Sequence, residues 1–172
     1  LRYFLSYYSH MKNNTFPYVF FKTAYVKIDR AVVPIMTNAL QYGTAVFGGI
    51  RGYYDPQREV MTIFRPEDHF ARLLSSLKIL GATIRYSRSD LMDILLGLMD
   101  KNKPRENIYF RPFAFADSLL LSPNLARDKK FAFALYMIPL GEYLSTEKGL
   151  SVMVSTWRRI ADPMIPPRGK IS

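Results

Sequence analysis

The sequence predicts an α+β fold. Two observations carry that prediction: short runs rich in β-branched and aromatic residues come before and after a central region, and that region holds two apolar stripes at helical spacing. A third is the absence of any internal repeat or low-complexity tract. With 172 residues, 49% hydrophobic and 22% charged, the chain has material for one large core, or one and a fraction.

Residues 18–21 and 24–28 read as the first two strands, and Asp29-Arg30 begins the turn that follows. Residues 31–36 are interrupted by Pro34, whose missing amide allows an edge strand at best. Residues 42–53 are punctuated by Gly43, Gly48, Gly49 and Gly52. Glycines within a strand pattern indicate bulges or a close backbone approach. Residues 60–64 form a further strand. Pro66 then opens the clearest helix, with Phe70, Leu73, Leu74, Leu77 and Leu80 on one stripe and Gly81 placed to end it. A second helix is expected over 90–101, with Ser89 as its N-cap, a stripe of Leu91, Ile94, Leu95 and Leu98, and Pro104 preventing continuation. Strand-like runs follow at 107–115, 131–138 and 151–155. Residues 157–172 carry three prolines, no periodicity and no closing element, so the chain is expected to continue beyond Ser172.

Composition removes several function classes. There is no cysteine, which excludes disulfides and thiolate metal sites and suits a cytoplasmic enzyme. His10 and His69 are too few for an ordinary imidazole cage. The longest apolar run before a proline, 131–138, is too short to cross a bilayer. Residues 1–10 lack the features of a signal peptide, and Met11-Lys12 reads as a true beginning, so 1–10 are expected to be leader or appended sequence. A net charge of +10 makes nucleic acid the first partner to weigh. The bases are spread along the chain, however, and no basic tract exceeds a pair such as Lys129-Lys130, so nucleic acid and membrane are not expected partners.

By residue type alone the candidate side chains have ordinary readings. Tyr109 and Arg111 stand two apart on a strand and share a face, with Ile108 and Phe110 turned toward the core. Arg111 beside Pro112 reads as an edge-strand arginine. Arg72 lies off its helix stripe, where it can pair with Asp68 one turn earlier or stay free for an anion. Lys170 is a solvated lysine in a basic tail, and Tyr42, Phe47 and Tyr143 are core aromatics. Nothing supports a Ser/His/Asp triad, a phosphate-binding glycine loop or a metal cluster.

An ordered set of segments nevertheless resembles the class IV (fold type IV) pyridoxal-phosphate aminotransferases, above all the branched-chain amino acid aminotransferases. It begins at Ala39-Leu40-Gln41-Tyr42-Gly43-Thr44-Ala45-Val46-Phe47 and runs through Gly49-Ile50-Arg51. It resumes at Phe64-Arg65, His69, Arg72-Leu73 and Tyr109-Phe110-Arg111-Pro112. It ends with Pro139-Leu140-Gly141-Glu142-Tyr143-Leu144, Ser155-Thr156-Trp157-Arg158-Arg159, Ile165-Pro166 and Lys170. The departures are Gly48 where the family often has Glu, Leu140 where branched-chain enzymes often have Trp, Pro167 and Gly169 before the lysine, and Ile171 after it.

The resemblance implies a small N-terminal domain of a two-domain enzyme over 1–143. Residues 144–172 would be the linker and the start of a large cofactor domain that lies mostly outside this chain. It implies pyridoxal 5'-phosphate as cofactor, with Lys170 as the lysine bonded to its aldehyde and Arg72 on its phosphate. Tyr42, Phe47, Tyr109, Arg111 and Tyr143 would contact substrate. The implied reaction moves an amino group between a branched-chain L-amino acid and 2-oxoglutarate, in a homodimer or higher homo-oligomer, with this chain alone inactive. D-amino acid aminotransferase and aminodeoxychorismate lyase share the fold, but Tyr109-Phe110-Arg111-Pro112 favours the branched-chain group. A non-catalytic basic binding module has only the net charge in its favour.

Overall fold

The structure is a computed structural model and describes residues 15–121, 130–140, 149–157, 161, 166 and 169–171. Its organising element is β6 (Ile108–Phe115), in which Ile108, Phe110, Pro112 and Ala114 are buried while Tyr109, Arg111 and Phe113 are half-buried. That period of two means one face meets a core and the other stays partly open. The flanking strands are β1 (Tyr18–Phe21), β2 (Ala24–Lys27), β3 (Ala45–Phe47), β4 (Ile50–Asp55), β5 (Val60–Ile63) and β7 (Ala132–Pro139). They form one sheet in the order β2-β1-β7-β6-β4-β5, with β3 also on β6, and every pairing is antiparallel.

β3 and β4 lie end to end along one edge of β6 in a single register, since Ala45 faces Phe115 and Ile50 faces Phe110. The line is broken only at Gly48-Gly49, opposite Pro112 and Arg111. Gly48 N–H donates to Pro112 O at 2.8 Å, and Pro112 has no amide to return the bond. β6 is therefore a central strand, with β7 on its other side, and the expected edge-strand setting of Arg111 is corrected. A proline is tolerated there because its missing donor faces the glycine break.

Two helices cover the buried face: α2 (Pro66–Ile79) and α3 (Arg88–Asn102), preceded in the chain by the short α1 (Asn38–Tyr42). Phe70, Leu73 and Leu77 of α2 and Leu91, Leu95 and Leu98 of α3 join one cluster with Phe110, Phe133 and Leu135 of the sheet. At about 25 cal/mol per Å² of apolar surface removed from water, burying such side chains contributes roughly 1.5–3 kcal/mol each. α2 ends as expected at Gly81, whose φ of 67° and N–H bond to Lys78 O at 3.0 Å close the last turn.

The elements differ from expectation at four further places. α3 begins earlier, because Ser87 and not Ser89 is the N-cap: Asp90 N–H bonds Ser87 Oγ at 3.2 Å and Ser87 N–H bonds Asp90 Oδ2 at 2.7 Å. That reciprocal pair satisfies two otherwise orphaned donors. Residues 31–36 form no strand; Ile28–Arg30 is a 3-10 turn, and Thr37 folds back on Pro34 O through both N–H and Oγ1. The helix α1, ended by Gly43 at φ 62°, is an element the sequence did not predict; it ends at Tyr42, where the glycine-punctuated stretch begins. Residues 151–155 make no strand, and Val152 and Val154 are exposed with no edge paired to them among the described residues. The expected boundary at 143/144 falls outside the described residues.

Candidate active site

The open face of the sheet brings together residues that β-register places in line. Phe47 lies opposite Phe113, and Tyr109 opposite Arg51, so Phe47, Tyr109 and Arg111 all project from this face. The Arg111 guanidinium carbon sits 4.9 Å from the Phe47 ring centroid and 5.2 Å from that of Tyr109. Cation–π contact of this kind stabilises by about 0.5–1 kcal/mol where exposed. Gly49 makes the stack possible. A Cβ there would collide with the Tyr109 hydroxyl and lie 2.5 Å from its Cζ, so Tyr109 occupies the space a side chain would need.

Lys170 reaches the same ring from the far edge of β3. Its carbonyl accepts Phe47 N–H at 3.1 Å, and Ile171 pairs with Val46 as an antiparallel bridge. Its Nζ stands 4.8 Å from the Phe47 centroid, and its side chain is exposed. The Lys170 amide donates to Ser76 Oγ at 3.2 Å, and that hydroxyl donates to Arg72 O at 3.0 Å. One buried hydroxyl thus joins the main chains of Lys170 and Arg72.

The Arg72 side chain is exposed, as its position off the stripe predicts, but its partner differs from expectation. Asp68 is taken by Arg65, whose Nε approaches Oδ2 at 2.6 Å, and Arg72 Nη2 instead lies 3.2 Å from His69 Nδ1. Arginine can only donate, so Nδ1 is the acceptor and the His69 ring proton belongs on Nε2. Burial first, and the Arg72 charge second, lower the His69 pKa below its ordinary value.

Phe47, Tyr109, Arg111 and Lys170 therefore converge, with Arg72 linked through Ser76. Tyr42 does not join them: it ends α1, is exposed, and takes part in none of these contacts. Tyr143 lies outside the described residues. Ser76 and Gly49 are the residues that sequence reasoning left out of the site. The available signal for Ser76 was a serine next to Leu77 within an otherwise apolar stripe, one turn after Arg72. Among the described residues Arg72, Arg111 and Lys170 have no acidic partner; Arg72 and Lys170 are exposed and Arg111 is half-buried. That arrangement suits a ligand with two separated anionic groups flanking an amine-reactive centre. No three His, Asp or Glu side chains gather as a metal site, and no helix is long and apolar enough to cross a membrane, among the described residues.

Comparison with known proteins gives the family. The sequence pattern described as Amino-transferase class IV matches residues 46–171. A probable branched-chain-amino-acid aminotransferase of Aquifex aeolicus is 36% identical over 162 residues, covering 94% of this chain and 52% of that protein. The branched-chain-amino-acid aminotransferase of Escherichia coli K12 is 33% identical, covering 89% and 50%. The crystal structure of the Thermoproteus uzoniensis branched-chain aminotransferase with norvaline superposes with a TM-score of 0.84 at 32% identity, covering 92% of this chain and 51% of that one. The branched-chain amino acid aminotransferase of Thermobaculum terrenum in its PLP-form does so with a TM-score of 0.78 at 27% identity, covering 91% and 50%. The chain spans about half the length of the curated relatives it matches. On this agreement of sequence and fold, the chain belongs to the class IV aminotransferase family.

Proposed function

We propose that the whole protein is an aminotransferase that exchanges the amino group of a branched-chain L-amino acid with 2-oxoglutarate, using pyridoxal 5'-phosphate. The observation that carries this reading is the convergence of Lys170 and Arg111 on Phe47, with Arg72 tied to Lys170 by one hydroxyl. Those residues suit the cofactor chemically. Lys170 offers the primary amine that an aldehyde requires, and the exposed Arg72 fork offers bidentate donors to a phosphate. When bound, the cofactor supplies the aldehyde carbon that takes the amino group and a ring that draws electrons away from the substrate Cα.

The remaining work falls to the chain. Arg111, in cation–π contact with Phe47 and Tyr109, binds a substrate carboxylate and sets the orientation of Cα. The Tyr109 hydroxyl adds a donor beside it, and the Phe47 ring offers an apolar wall to a branched side chain. Lys170, once its amine is free, takes the proton from substrate Cα as a general base and returns a proton as an acid. Tyr42 and Tyr143 belong to this reading as further substrate contacts. Residues 1–143 are read as the small domain and 144–172 as the start of the cofactor domain. The cysteine-free composition and the family support a cytoplasmic homodimer or higher homo-oligomer.

The test is a coupled glutamate assay on the complete protein with leucine, isoleucine or valine and 2-oxoglutarate. Glutamate formation dependent on added pyridoxal phosphate is expected. Turnover with D-alanine but none with these L-amino acids would refute the substrate class.

A further inference from the structure

Ser76 is one of only three buried polar residues among those described, with 1% of its surface exposed. A hydroxyl in an apolar stripe is costly unless both its donor and acceptor capacity are used. Here both are used: Oγ donates to Arg72 O at 3.0 Å, four residues away, and accepts Lys170 N–H at 3.2 Å across a sequence separation of 94 residues. The bond to Arg72 alone is a common serine back-bond within a helix. The bond to Lys170 is not local, and it completes a clamp. Lys170 N–H is fixed to α2 and Lys170 C=O to β3 through Phe47 N–H, while Ile171 packs against the core and bridges Val46. Gly169 allows the close approach, since a Cβ there would come within 3.3 Å of Ile79 Cδ1 on α2 and 3.0 Å of Ile171 Cδ1.

We infer that Ser76 is a positioning residue: its hydroxyl locks the Lys170 main chain to the turn that carries Arg72, and so fixes where the lysine amine stands relative to the phosphate-binding arginine. This rests on the proposed roles of Lys170 and Arg72. Both side chains are exposed, and each makes one side-chain contact, Arg72 with His69 Nδ1 and Lys170 with the Phe47 ring. What sets their separation is the backbone beneath them, and the Ser76 hydroxyl is the atom common to both.

The experiment uses the complete protein as wild type, Ser76→Ala, Ser76→Thr and Ser76→Cys, with far-ultraviolet circular dichroism as the check of folding. Two quantities are read. One is hydrogen exchange at the Lys170 amide, with Phe110 and Leu135 amides as core references. The other is the fraction of Lys170 labelled by limiting pyridoxal phosphate and borohydride. In Ser76→Ala the Lys170 amide should exchange roughly fivefold faster, the factor for one ordinary hydrogen bond, with core amides unchanged. Labelling at Lys170 should fall by a similar factor. Ser76→Thr should restore both, because its hydroxyl can make the same bonds. Ser76→Cys, with a weaker acceptor, should fall between, and it serves as the reporter if the alanine variant does not fold. Unchanged exchange in Ser76→Ala, or in Ser76→Cys where alanine unfolds, overturns the clamp. Faster exchange with undiminished Lys170 labelling overturns the positioning role. Labelling of a different lysine in the wild type would instead defeat the proposed function, and exchange alone would then decide whether the clamp exists.

Discussion

Replacing Gly49 with alanine drives a methyl group into Tyr109. The new Cβ would meet the hydroxyl and stand 2.5 Å from Cζ and 2.8 Å from Cε2, well inside the contact distance of real side chains. Tyr109 must swing away, and Arg111 loses the ring that lies 5.2 Å from its guanidinium. Overpacking of this kind typically costs about 1–3 kcal/mol. Alanine also stiffens the unfolded chain, which offsets about 0.4–1 kcal/mol at a position whose φ it can adopt. The expected net destabilisation is therefore up to about 2.6 kcal/mol, or a fall of up to roughly 10 °C in unfolding midpoint for a chain of this size. In a Tyr109→Ala background the collision is gone, and Gly49→Ala should be neutral or slightly stabilising. Urea unfolding of the four proteins in a double-mutant cycle should then give a coupling energy of about 1–3 kcal/mol. Additivity within about 0.5 kcal/mol would show that Tyr109 does not lie over Gly49, and the account of how Arg111 is held would fail.

Three further outcomes are expected. Arg111→Lys keeps the charge but loses the fork, so kcat/KM for a branched-chain amino acid should fall roughly 10–150-fold, equivalent to about 1.5–3 kcal/mol, with cofactor content unchanged; equal kinetics would remove Arg111 from carboxylate binding. Arg72→Ala truncates an exposed helix residue, so stability should change by under about 0.5 kcal/mol while cofactor is lost on dialysis; full retention by the folded variant would end its phosphate role. His69, with its pKa lowered by burial and by Arg72, should titrate by NMR below its ordinary value of 6.5. Because the unfolded chain then binds the proton first, this histidine's contribution to stability is lost as pH falls from about 6.5 through the folded value, and a midpoint above 6.5 would contradict the Arg72 contact.

The parts of the fold legible in the sequence were those written in periodicity. The α2 stripe of Phe70, Leu73 and Leu77 and the α3 stripe of Leu91, Leu95 and Leu98 are buried as read, and the alternation on β6 puts Ile108 and Phe110 in the core. What periodicity does not encode is pairing at a distance. A valine-rich run at 151–155 has strand composition but pairs with no edge among the described residues, and Pro112 reads as an edge residue until its missing donor is seen to face Gly48. Local competition is equally hidden. Asp68 could serve Arg65 or Arg72, and only three-dimensional placement shows that Arg65 takes it. At the site, the cations and aromatics were recognisable as a resemblance, whereas the Ser76 link needs two segments 94 residues apart to be brought together.

The central claim is that Lys170 is the residue whose amine bonds the cofactor aldehyde. Its most direct measurement is borohydride reduction of the complete protein with pyridoxal phosphate bound, followed by peptide mapping of the resulting stable secondary amine. Lys170 stands against Phe47 at 4.8 Å, with Arg111 on the same ring at 4.9 Å. One phosphopyridoxyl group is expected per chain, on the peptide containing Lys170. Substoichiometric label scattered over surface lysines, or a single label at any other lysine, would contradict it.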